Sequence, residues 1–205
     1  MHFYNRFDQD ESFVAESILK ILENNQISVV KIGMLANKRI CQKVYQIFKD
    51  RNIKIVLDPV FASSSGGVLL DFDAIEYLKQ YLLSICYAVT PNISEAEILT
   101  NSKISNFDSV VNACKLIRNF DVKNVIVKGG HLDQDENATD VMLDQDNKLH
   151  VEKTSRLATK VRGSGCRFAT AYACNILFGK ANVESFANSK RYITSFFNDS
   201  EKKIA

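Results

Sequence analysis

Residues 53–60, Ile53-Lys54-Ile55-Val56-Leu57-Asp58-Pro59-Val60, read as a short apolar strand over Ile53–Leu57 that an aspartate and a proline stop abruptly. An unbroken apolar run of this kind suits a strand covered on both faces better than one half open to water. The pattern recurs on either side. Ser28–Ile32 ends at Gly33, Cys86–Val89 is stopped by Thr90-Pro91-Asn92, and Val125–Val127 runs into Lys128-Gly129-Gly130-His131. Helical segments separate these runs. Residues 11–24 place Phe13, Val14, Ile18, Ile21 and Leu22 on one face. Asn37 can cap a helix that carries Ile40, Val44, Ile47 and Phe48. Further helices are expected from Asp71 to about Leu83, over 94–100, and over 106–120.

Val141–Leu143 and Leu149–Glu152 alternate as a hairpin would around Asp146-Asn147. An apolar helix follows Arg162-Gly163-Ser164-Gly165-Cys166, and a last one starts near residue 182. Strands separated by helices predict right-handed crossovers and an α/β fold with a mainly parallel sheet. Ligands of such sheets bind outside the carboxyl ends of the strands. Gly33-Met34-Leu35, Asp58-Pro59-Val60, Thr90-Pro91-Asn92 and Lys128-Gly129-Gly130 should therefore meet on one edge. Together they offer glycines, a carboxylate, a hydroxyl, an amide and a lysine, the chemistry of a phosphate and metal site.

Composition narrows the function classes. The chain has 205 residues, 46% apolar and 24% charged, enough for a sizeable core in one domain spanning 1–205. Lys+Arg number 26 against 24 Asp+Glu, a net charge of +2 that gives no reason to expect nucleic acid or an anionic membrane as partner. No apolar run reaches the roughly 18 residues of a membrane span. The opening Met-His-Phe-Tyr-Asn-Arg-Phe-Asp lacks the pattern of a signal peptide, so a soluble, cytoplasmic chain is expected. Five widely spaced cysteines with no C-x-x-C argue against a disulfide framework or structural zinc. Cys41, Cys86, Cys114 and Cys174 read as core residues; Cys166 does not.

Arg162-Gly163-Ser164-Gly165-Cys166 is the sharpest motif. Two glycines let the backbone turn tightly into a helix whose first amides, aided by the helix dipole, can hold a phosphoryl group. Cys166 would sit in the first turn, where a thiol pKa is typically depressed, and could take the proton of an attacking hydroxyl. The alternative is a glycine-containing helix start with an inert cysteine. Lys128 can neutralise a phosphate beside glycines that allow close approach, or be an ordinary strand-end lysine. Asp58 can hold Mg²⁺, or close the strand as an Asx-turn. Asn92 and Glu95 are spaced as a capping box, and Glu95 could also touch a metal-bound water. His131 could contact nucleotide or simply sit in a turn.

Five stretches together resemble the ribokinase-like superfamily, and within it the hydroxymethylpyrimidine/phosphomethylpyrimidine kinases of thiamine biosynthesis. They are Lys31-Ile32-Gly33-Met34-Leu35, Val56-Leu57-Asp58-Pro59-Val60, Thr90-Pro91-Asn92-Ile93-Ser94-Glu95-Ala96-Glu97, Val125-Ile126-Val127-Lys128-Gly129-Gly130-His131-Leu132 and Gly163-Ser164-Gly165-Cys166. They occur in the family's order across nearly the whole chain. The resemblance implies a three-layer αβα fold and ATP- and Mg²⁺-dependent phosphorylation of hydroxymethylpyrimidine or its monophosphate. It also implies the roles. Cys166 matches the catalytic base, and Gly163, Ser164 and Gly165 the anion hole. Lys128, Thr90, Asn92 and Gly130 match nucleotide positions, Asp58 and Glu95 the Mg²⁺ positions, and Met34 and Val60 residues that border the pyrimidine.

Two departures shape the expectation. The family's first strand and its Gly-rich Ala-Gly-Ser-Asp segment, which forms much of the pyrimidine pocket, have no counterpart here, nor has its Gly-rich C-terminal tail. The family's His-Gly-Thr-Gly-Cys-Thr reads Arg-Gly-Ser-Gly-Cys-Arg over residues 162–167. An active kinase would then take the pocket from a homodimer partner or from a chain supplying the N-terminal segment. The alternatives are a shortened, non-catalytic chain that at most binds nucleotide, and a pyridoxal kinase.

Overall fold

The computed structural model describes residues 6–63, 66–129, 137–155 and 163–202; Gly130, His131 and Arg162 lie outside the described residues. The order of elements is α1 (Glu11–Asn24), β1 (Val29–Ile32), α2 (Lys38–Phe48), β2 (Lys54–Leu57), α3 (Phe72–Tyr77), β3 (Ala88–Val89), α4 (Ile93–Thr100) and α5 (Phe107–Arg118). It continues with β4 (Asn124–Gly129), β5 (Asn137–Leu143), β6 (Leu149–Ser155), α6 (Ser164–Leu177) and α7 (Asn182–Lys202). Helices α2, α4 and α5 each start on an asparagine, Asn37, Asn92 and Asn106, whose side chain accepts a first-turn amide. Each cap satisfies a donor the helix itself leaves without a partner.

The strands lie side by side in chain order, β1 to β6. β1 to β4 are parallel, while β5 and β6 add antiparallel as a hairpin. Because the order advances in one direction, right-handed crossovers put α2 to α5 on the same face. Ile32, Ile55, Leu57, Val89, Val125 and Val127 pack beneath that helical layer. Their strand neighbours Val56, Ala88, Ile126 and Met142 point to the other face. There α6 and α7 contribute Ala169, Tyr172, Ile176 and Phe186. The result is the three-layer αβα arrangement, and it explains the unbroken apolar runs: the interiors of β2, β3 and β4 are buried on both faces. Among the described residues no helix is long and apolar enough to cross a membrane.

Some local readings change. The third strand is only Ala88–Val89, and the helix that starts at Phe72 continues as a π turn over Leu78–Leu82 and a 3₁₀ turn over Leu83–Ile85. Asp71 is the N-cap of that helix as expected, but its side chain makes no capping hydrogen bond and instead accepts from the Arg6 guanidinium at 2.6 Å. On α1 only Val14, Ile18 and Leu22 reach the core, and Phe13 and Ile21 stay 60% and 56% exposed. Their apolar arc is wider than the surface that α1 covers. Cys41, Cys86 and Cys114 are buried as expected, but Cys174 is exposed. Helix α6 turns Ala169 and Ala173 to the sheet, and the next residue points about 100° away.

Candidate active site

Register sets the site. Lys31 pairs with Val56, Val56 with Ala88, and Ala88 with Asn124. Side chains two residues apart on a strand share a face. Lys31 follows Val29, Asp58 follows Val56, Thr90 follows Ala88, and Lys128 follows Ile126. All four therefore emerge on the α6/α7 face, at the carboxyl ends of β1 to β4. A bridge between Asn92 and Lys128 carries the β3–β4 pairing past the end of β3, with the Lys128 amide donating to Pro91 O at 2.9 Å.

The centre of the row is Asp58, 2% exposed. Its Oδ1 accepts from Lys128 Nζ at 3.0 Å and from Thr90 Oγ1 at 3.5 Å. Lys31 Nζ stands 3.6 Å from Oδ2, an oxygen that is buried without any hydrogen-bond partner. The Cys166 thiol completes the group, close enough to the same carboxylate for each to shift the other's ionisation. Burial alone would favour the protonated acid, but Lys128, the Cys166 thiol and Lys31 outweigh it. Asp58 is thereby held below the usual carboxylate range.

Cys166 corrects one expectation. Its position in the first turn of α6 suggested a depressed thiol pKa, yet desolvation and the Asp58 carboxylate push the thiol up, against the opposing pull of Lys31 and Lys128. The physical cause is direct: a thiolate there would be partly desolvated and would face the Asp58 anion. Above it, α6 begins on Gly163, which takes a left-handed φ of 76° and supplies no side-chain cap. The first amides of α6, from Ser164 onward, thus have no intrahelical acceptor. Gly165 lies directly over the lysine, since a Cβ there would come within 2.9 Å of Lys128 Nζ. Arg167 places its guanidinium over the Phe196 ring, 4.3 Å from the centroid.

Glu95 forms the capping box the spacing suggested. Its Oε2 accepts the Asn92 amide at 2.7 Å, and Asn92 Oδ1 accepts the Glu95 amide at 2.9 Å. Burial pushes its carboxyl up to about 7 despite the nearby Lys128 and the Asn92 amide, with Asp58 adding to the rise. Met34, just beyond β1, is 46% exposed, and Val60 is half-buried beside Asp58, where its amide donates to Asp58 O at 2.9 Å. Among the described residues no three His, Cys, Asp or Glu side chains gather around one point. The unpartnered Asp58 oxygen is a single hard donor. That suits Mg²⁺, which keeps most of its shell as water and phosphate oxygens.

Reading the sequence for motifs passed over Lys31, Asp140 and Lys190. Asp140, opposite Lys128 on β5, accepts from the Gly129 amide at 3.0 Å and from Lys190 of α7 at 3.0 Å. The signal for Lys31 was available: it is a charged residue inside Val29–Ile32, with the same parity as the last core residue of that face. For Asp140 no motif announced the pairing.

Comparison with known proteins agrees with this geometry. The family model described as phosphomethylpyrimidine kinase matches residues 2–203. The hydroxymethylpyrimidine/phosphomethylpyrimidine kinase of Aquifex aeolicus is 37% identical over 201 residues, which is 97% of this chain and 78% of that protein. The crystal structure of phosphomethylpyrimidine kinase from Clostridium difficile 630 superposes with a TM-score of 0.81 at 32% identity, over 93% of this chain and 78% of that one. Pyridoxal kinase from Staphylococcus aureus, in complex with ADP, gives a TM-score of 0.78 at 27% identity, over 90% of this chain and 66% of that one.

Proposed function

Because the chain belongs to the phosphomethylpyrimidine kinase family, we propose that it transfers the terminal phosphoryl group of ATP to hydroxymethylpyrimidine or to its monophosphate. The observation that carries the proposal is the shared carboxylate. Asp58 meets Lys128, Thr90 and Cys166 at once, beneath the glycine-flanked start of α6. A lysine, the helix-start amides of α6 and the Cys166 sulfur converge there around one carboxylate. Phosphoryl transfer asks a protein mainly for positioning and charge stabilisation.

The roles follow from place. Lys128 neutralises the phosphates that approach from β4, with Gly130 beside it in sequence to permit close approach. Thr90 and Asn92, at the end of β3, offer polar contacts to the nucleotide. The first amides of α6, in the Gly163-Ser164-Gly165 turn, receive the developing negative charge on the transferred group. Cys166 accepts the proton of the attacking hydroxyl as its thiolate, the form that Asp58 disfavours until its charge is neutralised, while Met34 and Val60 border the ring that carries that hydroxyl. When bound, Mg²⁺ on Asp58 and, through water, Glu95 would neutralise phosphate oxygens and relieve the carboxylate's hold on the Cys166 proton. The setting proposed is cytoplasmic, and the partner a second copy. Light scattering across concentration tests that partner; full turnover by a species of one-chain mass would dismiss it.

The test is ADP release with hydroxymethylpyrimidine, its monophosphate and pyridoxal as separate acceptors. We expect turnover with the two pyrimidines, and a loss of at least about a hundredfold with the alcohol in Cys166→Ala. Preference for pyridoxal would transfer the reading to the relatives that share the fold. Silence with all three, alongside intact nucleotide binding, would leave a nucleotide-binding chain without catalysis.

A further inference from the structure

The cluster around Asp58 holds one more cation than an ion pair needs. Lys128 already bonds Oδ1 at 3.0 Å. Lys31 stops at 3.6 Å from Oδ2, beyond hydrogen-bond length, and leaves that buried oxygen without a partner. A lysine inside a short valine-isoleucine strand has no packing reason to be there, since a strand interior favours β-branched residues. The two ammonium groups also reach Asp58 from opposite flanks of the sheet. Lys128 comes from β4, two strands away on the nucleotide side. Lys31 comes from β1, the strand that leads into Gly33 and Met34. Its side chain is 24% exposed against 13% for Lys128, so it opens further toward solvent and toward an incoming acceptor.

Resting on the kinase reading above, we propose that Lys31 is the acceptor-side phosphate ligand, and that it favours an acceptor that already bears a phosphate monoester over the neutral alcohol. With a phosphate acceptor, one of its oxygens attacks the terminal phosphorus of the nucleoside triphosphate. The new P–O bond forms as the bond to the bridging oxygen breaks, and the electron pair leaves with the nucleoside diphosphate. A dianionic phosphate has no proton to give up in that step, so Cys166 has nothing to accept. What the step does need is a positive charge between two anions, and Lys31 on one flank with Lys128 on the other supplies it. The alcohol reverses the demand: it brings no charge but must lose a proton.

Two variants test this. Lys31→Met keeps the length of the aliphatic stem and removes the charge; Lys31→Arg keeps the charge. Both are measured for kcat/KM with hydroxymethylpyrimidine and with its monophosphate. Calorimetry then measures binding of the monophosphate and of the alcohol without nucleotide. We expect Lys31→Met to lose about tenfold more efficiency with the monophosphate than with the alcohol, and about tenfold in monophosphate affinity. Alcohol binding should stay unchanged, and Lys31→Arg should recover most of the loss. Equal losses with both acceptors at unchanged monophosphate affinity would overturn the assignment. If the parent chain turns over neither acceptor, the kinase reading falls and the calorimetry alone decides. Monophosphate binding that Lys31→Met abolishes sustains the assignment; binding that it leaves intact, or no binding by the parent, overturns it.

Discussion

Replacing Gly165 with alanine puts one methyl group on the first turn of α6, 2.9 Å from Lys128 Nζ and 3.9 Å from its Cε. Ordinary contact begins near 3.4 Å, so the ammonium must retreat. The obstacle is the free end of a flexible side chain, and nothing in the backbone has to yield. The fold should therefore gain little, because the roughly 0.5–1 kcal/mol by which alanine improves on glycine inside a helix is offset by the loosened Lys128–Asp58 pair. Catalysis should fall. The retreat breaks the 3.0 Å contact to Asp58 and carries the charge off the phosphate path. A misplacement of about 1 Å costs roughly a hundredfold in rate, so a shift on the order of half an ångström predicts about a tenfold fall in kcat/KM. Scanning fluorimetry and coupled ADP release on the same preparation read both quantities. Undiminished turnover in a fully folded variant would refute the placement of Lys128 under α6. A collapse in stability would refute the claim that only a side-chain terminus is in the way.

The neighbouring glycine should behave differently. Gly163→Ala forces a side chain into φ 76° and within 3.0 Å of Arg167 Nη1, so it should lower the unfolding midpoint by several degrees, from a backbone penalty of about 1–2 kcal/mol; an unchanged midpoint would count against the left-handed cap. Tyr172 buries a hydroxyl that has no hydrogen-bond partner among the described residues. Tyr172→Phe should be neutral or up to about 1 kcal/mol more stable in urea, and a loss of more than about 1 kcal/mol would show that the hydroxyl has a partner after all. Asp144 closes the β5–β6 hairpin by accepting from the amides of Asp146 and Lys148 and from His150. Burial opposes its ionisation, but these partners outweigh it and hold the carboxyl below its ordinary value. Its contribution is therefore complete above the unfolded-state value of about 4 and is lost as the pH falls through the lower folded value. Asp144→Asn should flatten the decline of urea stability below about pH 4; an unaltered slope would remove Asp144 from the acid response.

Local chemistry left a clear trace where the cause was local. The apolar blocks mark β2 and β4 because each is covered on both faces, and Asn37, Asn92 and Asn106 announce helix starts because a side-chain oxygen answers an orphan amide nearby. The third strand was overestimated because Cys86 and Tyr87 are as apolar as Ala88 and Val89, and apolarity alone does not say where ladder pairing starts. Cys174 was misplaced for the same reason: a small apolar residue fits either side of a helix, and only the angle at which α6 meets the sheet selects one.

By itself, then, the sequence determined the alternation of strands and helices, their caps, and the edge on which the post-strand residues would collect. Period and capping depend on residues within a turn or two of one another. Tertiary structure alone decided that Lys128 would reach back 70 residues to Asp58, that Lys31 would approach the same carboxylate from the other flank, and that the Cys166 pKa would rise instead of fall. Those outcomes follow from strand register and from how closely α6 descends on the sheet. An electrostatic field is summed over neighbours in space, and no spacing along the chain encodes that sum.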